Sequence, residues 1–243
     1  MVEKAFHGPI IAVDNVSLTY GTGHAAMRAL KGVSLDVHPG EVLLVMGPSG
    51  SGKTSLLQLL GGLLRPTAGH VRIDGETTTG LDQDTLSRIR LERIGFVFQH
   101  HQLLRALRAW ENVAIALELV GIKPANIEPR SRNLLATMGI ADRADAYPSQ
   151  LSGGEQQRVA IARALASEPG VILADEPTAA LDSHSGGRVG EVLKSIAHRD
   201  GRAVVIVTHD HRLLRFADRI AVLEDGQIVR VESAQSLLEA VGI

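Results

Sequence analysis

One glycine-rich stretch has the residue types and the spacing of a phosphate-binding loop. It consists of Gly47, Pro48, Ser49, Gly50, Ser51, Gly52, Lys53 and Thr54. Its glycines allow successive backbone N–H groups to point at an anion, and a helix that starts here adds the positive end of its dipole. Lys53 would place a positive charge on the β- and γ-phosphates of a nucleotide, and the Thr54 hydroxyl is placed to bind Mg²⁺. We group the next residue, Ser55, with this predicted site.

The sequence on both sides of the loop predicts the strand and the helix that such a loop connects. Residues 42–46 are continuously apolar, which is typical of a buried strand. Residues 55–60 have helical character, and Gly61 and Gly62 are suited to end that helix. The glycine-rich stretch therefore has the strand–loop–helix context that its anion-binding mechanism requires.

An acidic pair follows a second apolar run. Residues 171–174 predict another buried strand, and Asp175 and Glu176 come directly after it. In a chain with a phosphate-binding loop, Asp175 can hold Mg²⁺ through water, and Glu176 can orient and deprotonate a water that attacks the γ-phosphate. The structural alternative is a carboxylate that caps the next helix. We predict the metal role for Asp175 and the catalytic role for Glu176.

Composition limits the functions open to this chain of 243 residues. The length suffices for one large α/β domain or two small ones, and 44% hydrophobic residues is ordinary for a packed core. A formal net charge of −2 offers no general electrostatic reason to bind nucleic acid, so we predict no such partner. The absence of cysteine excludes disulfides and thiolate chemistry. Neither a signal-peptide core nor an apolar run of roughly 20 residues occurs, so we expect a soluble chain unless a partner holds it at a membrane.

Apolar patterns along the rest of the chain predict an α/β fold, with a mixed sheet core and an antiparallel β part. Further strands are expected at residues 10–20, 33–37, 70–75, 94–98, 203–207, 220–223 and 227–231. Further helices are expected at residues 155–166, 185–197, 211–217 and 233–241. The continuously apolar strands should lie in a parallel sheet that is covered on both faces.

Residues 100–150 differ from the rest because strand patterns are absent there. Apolar residues recur at helical spacing from Leu103 to Val120, and prolines interrupt the stretch. We expect one domain of residues 1–243, with an α/β core at 1–99 and 151–243 and an inserted helical subdomain at 100–150. The arginines of this subdomain could face a partner or anionic lipid, although a solvated polar face is the commoner explanation.

A second glycine motif carries a family resemblance. It consists of Leu151, Ser152, Gly153, Gly154 and Glu155. This stretch resembles the signature of the nucleotide-binding subunits of ATP-binding cassette (ABC) transporters, and the resemblance covers residues 10–231. It implies a P-loop NTPase fold of the ABC type that binds and hydrolyses ATP with Mg²⁺. Physically, Ser152 and the N–H groups of Gly153 and Gly154 would form a second anion site at the start of a helix.

The same resemblance implies roles for four more residues. Tyr20 resembles the aromatic residue that stacks on adenine, although an ordinary strand aromatic is the alternative. Gln99 resembles the Q-loop glutamine that reaches the metal and the attacking water. Asp182 lies in a stretch that resembles the D-loop, and His209 resembles the switch histidine that contacts the γ-phosphate. The expected catalytic residues are thus Glu176, His209, Gln99 and Lys53.

The family pattern also implies an assembly, because one chain has one phosphate loop and one signature. A nucleotide in this family is sandwiched between the loop of one subunit and the signature of another, so we expect a head-to-tail homodimer when ATP is bound. The helical subdomain would dock on integral membrane permease subunits at the cytoplasmic face of the inner membrane. Leu103, Leu104 and Leu107 would line part of the docking groove, unless these leucines merely pack the subdomain.

The nearest subgroup by resemblance serves macrolide export, lipoprotein release and glycolipid export, which favours an exporter. This resemblance to the subgroup rests on residues 94–99, 173–182 and 218–220. An alternative is a membrane-associated ABC ATPase that drives a mechanical or cell-division switch, and it shares every catalytic residue. Soluble ABC ATPases of DNA repair or translation usually have a long coiled coil or two cassettes per chain, which this sequence lacks. Glu176 and His209 argue against a catalytically dead scaffold.

Overall fold

The computed structural model describes residues 8–241, in which ten strands form two sheets. The strands are β1 (Ile11–Tyr20), β2 (Met27–Val37), β3 (Val42–Met46), β4 (Ala68–Ile73), β5 (Glu76–Thr77), β6 (Ile94–Val97), β7 (Val171–Asp175), β8 (Ala203–Val207), β9 (Arg219–Glu224) and β10 (Gln227–Ser233). The smaller sheet has the order β2-β1-β4-β5 and is antiparallel. The larger has the order β10-β9-β3-β8-β7-β6, and its strands are parallel except for the β9–β10 hairpin. The predicted α/β fold with an antiparallel part is confirmed.

Seven α-helices surround these sheets within the described part of the chain. They are α1 (Lys53–Leu60), α2 (Gln83–Arg93), α3 (Ala109–Leu119), α4 (Pro124–Thr137), α5 (Gly153–Ala164), α6 (Ser183–Asp200) and α7 (Ala234–Val241). Helix α1 follows the glycine-rich loop and ends at Gly61, as predicted. None of the helices within residues 8–241 combines the length and the apolar character that crossing a bilayer requires.

The larger sheet is packed on both faces, which explains why its central strands are continuously apolar. All residues of β3 and β8 are buried. Along β3 the side chains alternate between two hydrophobic clusters, since Leu44 belongs to one and Leu43 to the other. The first cluster includes residues of α5 and α6, and the second includes residues of α1 and β1. The sheet is therefore a rigid layer from whose edge loops can present functional groups.

Some elements differ from the sequence prediction, for identifiable reasons. Helix α2 was not predicted because it is mostly polar and buries only two residues, Leu86 and Ile89. A usable signal was Asp82, whose side chain accepts a hydrogen bond from the Thr85 N–H and caps the helix. Strand β2 begins at Met27, well before the predicted residue 33, because it pairs with the whole of β1. The helix predicted at 211–217 is a 3₁₀-helix (His211–Phe216).

Residues 100–150 form α3, α4 and two short 3₁₀-helices, with no strand among them. The helical spacing predicted from Leu103 onward is wrong for its first residues, since α3 begins only at Ala109. The buried side chain of Asn112 holds the preceding loop in a non-helical path by donating hydrogen bonds to the carbonyls of Leu104, Leu107 and Arg108. That residues 100–150 act as a subdomain remains our proposal.

Candidate functional site

A polar cleft of about 740 Å³ lies at the ends of β3, β7 and β8. Parallel strands present their carboxyl ends at the same edge of a sheet, so the loops that follow them converge there. The predicted site residues that line the cleft are Ser49, Gly50, Gly52, Lys53, Thr54, Ser55, Gln99, Asp175, Glu176 and His209. Gly47, Pro48 and Ser51 belong to the same loop without lining the cleft. Chain segments far apart in sequence thus meet where the phosphate chemistry was predicted.

Two glycines of the loop are required by close backbone approaches. A Cβ on Gly47 would lie 2.0 Å from the carbonyl oxygen of Leu223 in β9. Gly52 has φ +102, and a Cβ there would lie 2.7 Å from the carbonyl oxygen of Ala29 in β2. Such contacts are far shorter than real Cβ atoms tolerate, so only glycine allows the loop to pack between these strands.

Lys53 and Thr54, the first residues of α1, bring a charge and a hydroxyl to the cleft. The Lys53 ammonium donates to the carbonyl oxygens of Gly47 at 2.8 Å and Pro48 at 2.9 Å. An ammonium has three N–H donors, so this arrangement leaves one for a phosphate oxygen. The Thr54 hydroxyl donates to Asp175 Oδ1 at 3.4 Å, which joins the loop to the end of β7.

The residues around Asp175 fit a Mg²⁺ ion bound together with phosphate. Burial raises the pKa of the Asp175 carboxyl, and the neighbouring charge of Glu176 adds to this, whereas the hydrogen bond from Thr54 opposes it. A divalent cation would favour the charged carboxylate and reverse that shift. The described residues contain no group of three His, Cys, Asp or Glu that could hold a metal alone. The oxygen donors of Thr54, Asp175 and Gln99 therefore suit a hard cation that takes its other ligands from phosphate and water.

Glu176 is held in place by contacts to β8 and the loop after it. Its N–H donates to the carbonyl oxygen of Val207 at 2.9 Å. The Thr208 hydroxyl donates to Glu176 Oε2 at 2.7 Å, and His209 Nδ1 lies 2.7 Å from Glu176 Oε1. Glu176 has φ +46, a left-handed conformation that is uncommon for residues other than glycine and is found often at functional sites. The fully buried Thr208 was not among the predicted site residues.

Part of the cleft wall was not predicted from the sequence. Strand β2 and the β9–β10 turn contribute Met27, Arg28, Ala29, Lys31, Asp225 and Gly226. The turn was recognisable as an Asp-Gly hairpin, but nothing in the sequence says that it contacts the loop, where the Gly226 N–H donates to the Ser51 carbonyl.

Tyr20 lies near this wall but does not line the cleft. Its hydroxyl lies 3.1 Å from Ser55 Oγ, and its cross-strand partner in the smaller sheet is Met27. Met27 is 62% exposed and does line the cleft. Opposite residues in an antiparallel pair lie side by side, so Tyr20 and Met27 project from the same face of the smaller sheet. Stacking of adenine on Tyr20 stays a prediction.

The second predicted motif lies apart from the cleft and faces another segment of the chain. Ser152 caps α5, where its hydroxyl accepts from the Glu155 N–H and the Glu155 carboxylate accepts from the Ser152 N–H. A Cβ on Gly153 would lie 3.2 Å from Leu181, and one on Gly154 would lie 3.0 Å from Ser185. None of Ser152, Gly153 and Gly154 lines the cleft.

Asp182 belongs to this second cluster because it caps α6, the helix that carries Ser185. Its carboxylate accepts hydrogen bonds from the N–H groups of His184 and Ser185, both at 3.0 Å. These contacts lower the pKa of Asp182, the bond from Ser185 most strongly. One chain thus contains two separate groups of predicted site residues.

A larger and more apolar hollow of about 1030 Å³ is lined in part by Gly47, Pro48 and His209, of which only His209 also lines the cleft. Its walls include Met46, Leu214 and other apolar side chains, and no described carboxylate lines it. Phosphate and metal chemistry needs hydroxyls, carboxylates and backbone donors together. The smaller polar cleft is therefore the candidate site.

A strand, a glycine-rich loop with Lys and Thr, a helix, and an acidic pair at the end of another parallel strand of the same sheet define a P-loop NTPase. A family model described as "ABC transporter" matches residues 30–179. The chain is 45% identical over 234 residues to the macrolide export ATP-binding/permease protein MacB of Salmonella typhimurium, with 96% of this chain covered. It spans 36% of the length of that relative.

A second relative matches along nearly its whole length. The uncharacterized ABC transporter ATP-binding protein MJ0796 of Methanocaldococcus jannaschii is 45% identical over 227 residues, covering 92% of this chain and 97% of that protein. A solved dimeric structure of MJ0796 in a post-hydrolysis state, bound to ADP and Pi, has a TM-score of 0.85 at 44% identity, covering 92% of this chain and 98% of that one. The structure of cbiO1 from Clostridium perfringens, part of the ABC transporter complex cbiONQ, has a TM-score of 0.86 at 28% identity, covering 96% and 91%. The chain belongs to the ABC transporter family and is an ATP-binding cassette, the ATPase unit of that family.

We expect Lys53→Ala to weaken ATP binding by about 10- to 100-fold, because a charge-assisted hydrogen bond to phosphate is lost. Isothermal titration calorimetry measures this directly. Lys123→Ala is the matched control, since Lys123 precedes α4 and lies outside the cleft. Equal affinities of the Lys53→Ala and control variants would contradict the assignment of the loop.

Proposed function

We propose that this chain is the ATP-hydrolysing cassette of a membrane exporter, working as a head-to-tail dimer that drives an integral membrane permease. The observation that carries the proposal is the separation of two site groups on one chain, with the phosphate-loop cleft in one place and the Ser152–Gly154 motif in another. Similarity to MacB over 96% of the chain supports export. The chain would lie at the cytoplasmic face of the inner membrane through its permease.

Nucleotide binding in this proposal uses the loop, and hydrolysis uses the groups after β7 and β8. Loop N–H groups, Lys53 and the start of α1 bind the phosphates. When bound with ATP near Thr54, Asp175 and Gln99, Mg²⁺ would neutralise phosphate charge. Glu176 accepts a proton from the attacking water, and Thr208 and His209 fix its carboxylate for this task. Because His209 presents Nδ1 to Glu176, its Nε2 is the ring nitrogen left for the γ-phosphate.

We expect Glu176→Gln to keep ATP affinity and to slow hydrolysis by about 10²- to 10⁴-fold, because an amide keeps the shape of the side chain but cannot take a proton. ATP should then trap the variant as a dimer. Steady-state phosphate release and size-exclusion chromatography with light scattering measure the two effects. Hydrolysis at the wild-type rate would place the general base elsewhere.

The separation of the two site groups requires a second chain if both act on one nucleotide. A two-fold axis brings the Ser152–Gly154 motif of each subunit to the cleft of the other and closes two equivalent sites. The dimeric state described for MJ0796 is consistent with this arrangement. Ser152 is exposed, so its helix start is accessible to a partner.

A heterodimer of Lys53→Ala and Ser152→Arg chains tests the shared sites. One composite site loses both elements and the other keeps both, so we expect about half of the wild-type hydrolysis from the heterodimer and much less from each parent dimer. Two affinity tags isolate the heterodimer, and phosphate release measures its rate.

The matched control places both substitutions in one chain and pairs it with wild type. Each composite site of that heterodimer then loses one element, so its rate should be as low as that of the parents. Equal rates for the two heterodimers would contradict sites shared between subunits.

The proposed docking surface is the loop between Gln99 and α3. Leu104 is 52% exposed, whereas Leu103 packs partly against the core. Asn112 fixes the path of this loop, and Arg163 of α5 donates to the carbonyls of His101 and Gln102. The loop is thus attached to the helix that begins at the Ser152–Gly154 motif. A movement of this helix when nucleotide binds would therefore displace Leu104. Permease recognition by this loop is part of the proposal.

We expect Leu104→Glu to abolish permease-dependent stimulation of ATP hydrolysis while the ATP affinity of the isolated chain stays within about twofold, because a charge placed in an apolar contact opposes docking. Val229→Glu is the control, since Val229 is similarly exposed on β10. ATPase assays with the co-purified permease in liposomes compare the two. Loss of stimulation in Val229→Glu but not in Leu104→Glu would move the docking surface to another face.

A further inference from the structure

The loops that follow β7 and β8 are joined by the contact between Glu176 and His209 and by further contacts beside it. A second pair links the same two loops: Thr178, two residues after Glu176, and Asp210, one residue after His209. The Thr178 hydroxyl donates to Asp210 Oδ2 at 2.8 Å. Thr178 is 1% exposed and the Asp210 side chain is 12% exposed, so most of this hydrogen bond is shielded from water.

Arg212 completes the arrangement around Asp210. Its backbone N–H donates to Asp210 Oδ1 at 3.0 Å, and its guanidinium contacts both carboxylate oxygens at 2.8 to 3.0 Å. The same guanidinium donates to the Ser183 hydroxyl at 3.2 Å, next to Asp182. The loop after β8 is therefore attached to residues 178–183 at two points, through the Asp210 carboxylate at Thr178 and through the Arg212 guanidinium at Ser183.

His209 itself depends on its neighbours for its position. Its side chain is 72% exposed and contacts Glu176, whose own side chain is 13% exposed. An exposed imidazole is held by its backbone, and both residues beside it are anchored to the loop after β7. Thr208 is bonded to Glu176 on one side, and Asp210 is bonded to Thr178 on the other. The two anchors limit movement of the His209 backbone, so the point from which the ring extends stays close to Glu176.

We propose that Asp210 is a positioning residue, which, with Thr178 and Arg212, holds the His209 loop against the Glu176 loop in the geometry for hydrolysis. This rests on the proposed function, because positioning matters only if Glu176 and His209 act on ATP. Asp210 does not need to touch the nucleotide, and it does not line the cleft. Its effect is on how often the catalytic pair is correctly placed, so it acts on kcat and not on ATP affinity.

The charge state of Asp210 suits a permanent attachment. Burial acts to raise the pKa of its carboxyl, but hydrogen bonds from Arg212 and Thr178 outweigh burial and lower the pKa to about 2. The carboxylate therefore stays charged throughout the neutral range. Its stabilising contacts are fully present above the ordinary pKa of an aspartate and are lost only as the pH falls through the lowered value.

Three variants test this role by steady-state kinetics. Thr178→Val removes the hydroxyl at constant shape, and we expect kcat to fall about fivefold to tenfold while KM for ATP stays within about twofold, because one buried hydrogen bond is lost. Thr178→Ser keeps the hydroxyl and should restore most of kcat. Asp210→Asn keeps an acceptor for Thr178 but loses the charge that faces Arg212, so it should also lower kcat.

Thr78→Val is the matched control. Thr78 is buried like Thr178 and donates its hydroxyl to the Val71 carbonyl, far from the cleft in sequence and outside its lining. The Thr78→Val variant should lose about as much thermal stability as Thr178→Val, but its kcat should not fall. Nitrogen NMR of histidine-labelled protein adds a readout other than activity, with the His209 resonance identified by its loss in His209→Gln. That resonance should move in Thr178→Val and not in Thr78→Val.

The outcomes separate this inference from the proposed function. A wild-type chain that binds but never hydrolyses ATP overturns the proposed function and this role with it. Normal hydrolysis by wild type together with an unchanged kcat in Thr178→Val and Asp210→Asn overturns the positioning role alone. A fall in kcat that Thr178→Ser or Thr78→Val shares equally also overturns it, because general destabilisation then explains the loss.

Discussion

The register of three adjacent parallel strands is the constraint on which the candidate site depends. Val45 of β3 pairs with Val207 of β8, and Val207 pairs with Asp175 of β7. The three strands therefore end level with one another. The glycine-rich loop, Thr208 and Glu176 follow at the same edge, and backbone hydrogen bonds from Thr208 to Val45 and from Glu176 to Val207 continue the pairing past the strands. A slip of one residue would turn each side chain to the opposite face of the sheet.

This arrangement places Glu176 in a conformation that the residue would not adopt alone. A left-handed backbone at a non-glycine residue costs about 1 to 3 kcal/mol. Three hydrogen-bonding contacts, to Val207, Thr208 and His209, stabilise this conformation of Glu176 by about 1 kcal/mol each. The two effects are of the same size, so the geometry persists only while the loop after β8 stays attached. This balance makes the contacts around Asp210 important to the site.

In the function proposed here, one chain presents two incomplete sites. The cleft has the glycine-rich loop, the positive charge of Lys53 and two carboxylates. The Ser152–Gly154 motif has a helix start that packs beside residues 181–185. The segment at 176–183 connects these groups, because it contains Glu176 at one end and Asp182 near the other. A dimer that closes both sites would therefore act on the same short segment that Arg212 attaches to the His209 loop.

Local sequence determined much about this protein. Glycine spacing, the helix-forming residues at 55–60 and the apolar strand runs specify local geometry through short-range sterics and burial, so the loop, α1 and the central strands were predictable. The order of the motifs was enough to identify the family. The polar helix α2 had only one local signal, the cap residue Asp82. The non-helical path before α3 was not predictable, because it depends on Asn112, whose partners must be known.

Tertiary structure decided which residues share the cleft. Met27, Lys31 and Gly226 reach it only because β2 and the β9–β10 turn pack against the glycine-rich loop, a long-range contact without a local sequence signal. The contacts of Thr208 and Asp210 likewise appear only when two strands far apart in sequence lie side by side. Sequence patterns report which backbone and burial each segment prefers, whereas hydrogen-bond partners between loops are set by strand order and register, which are properties of the whole fold.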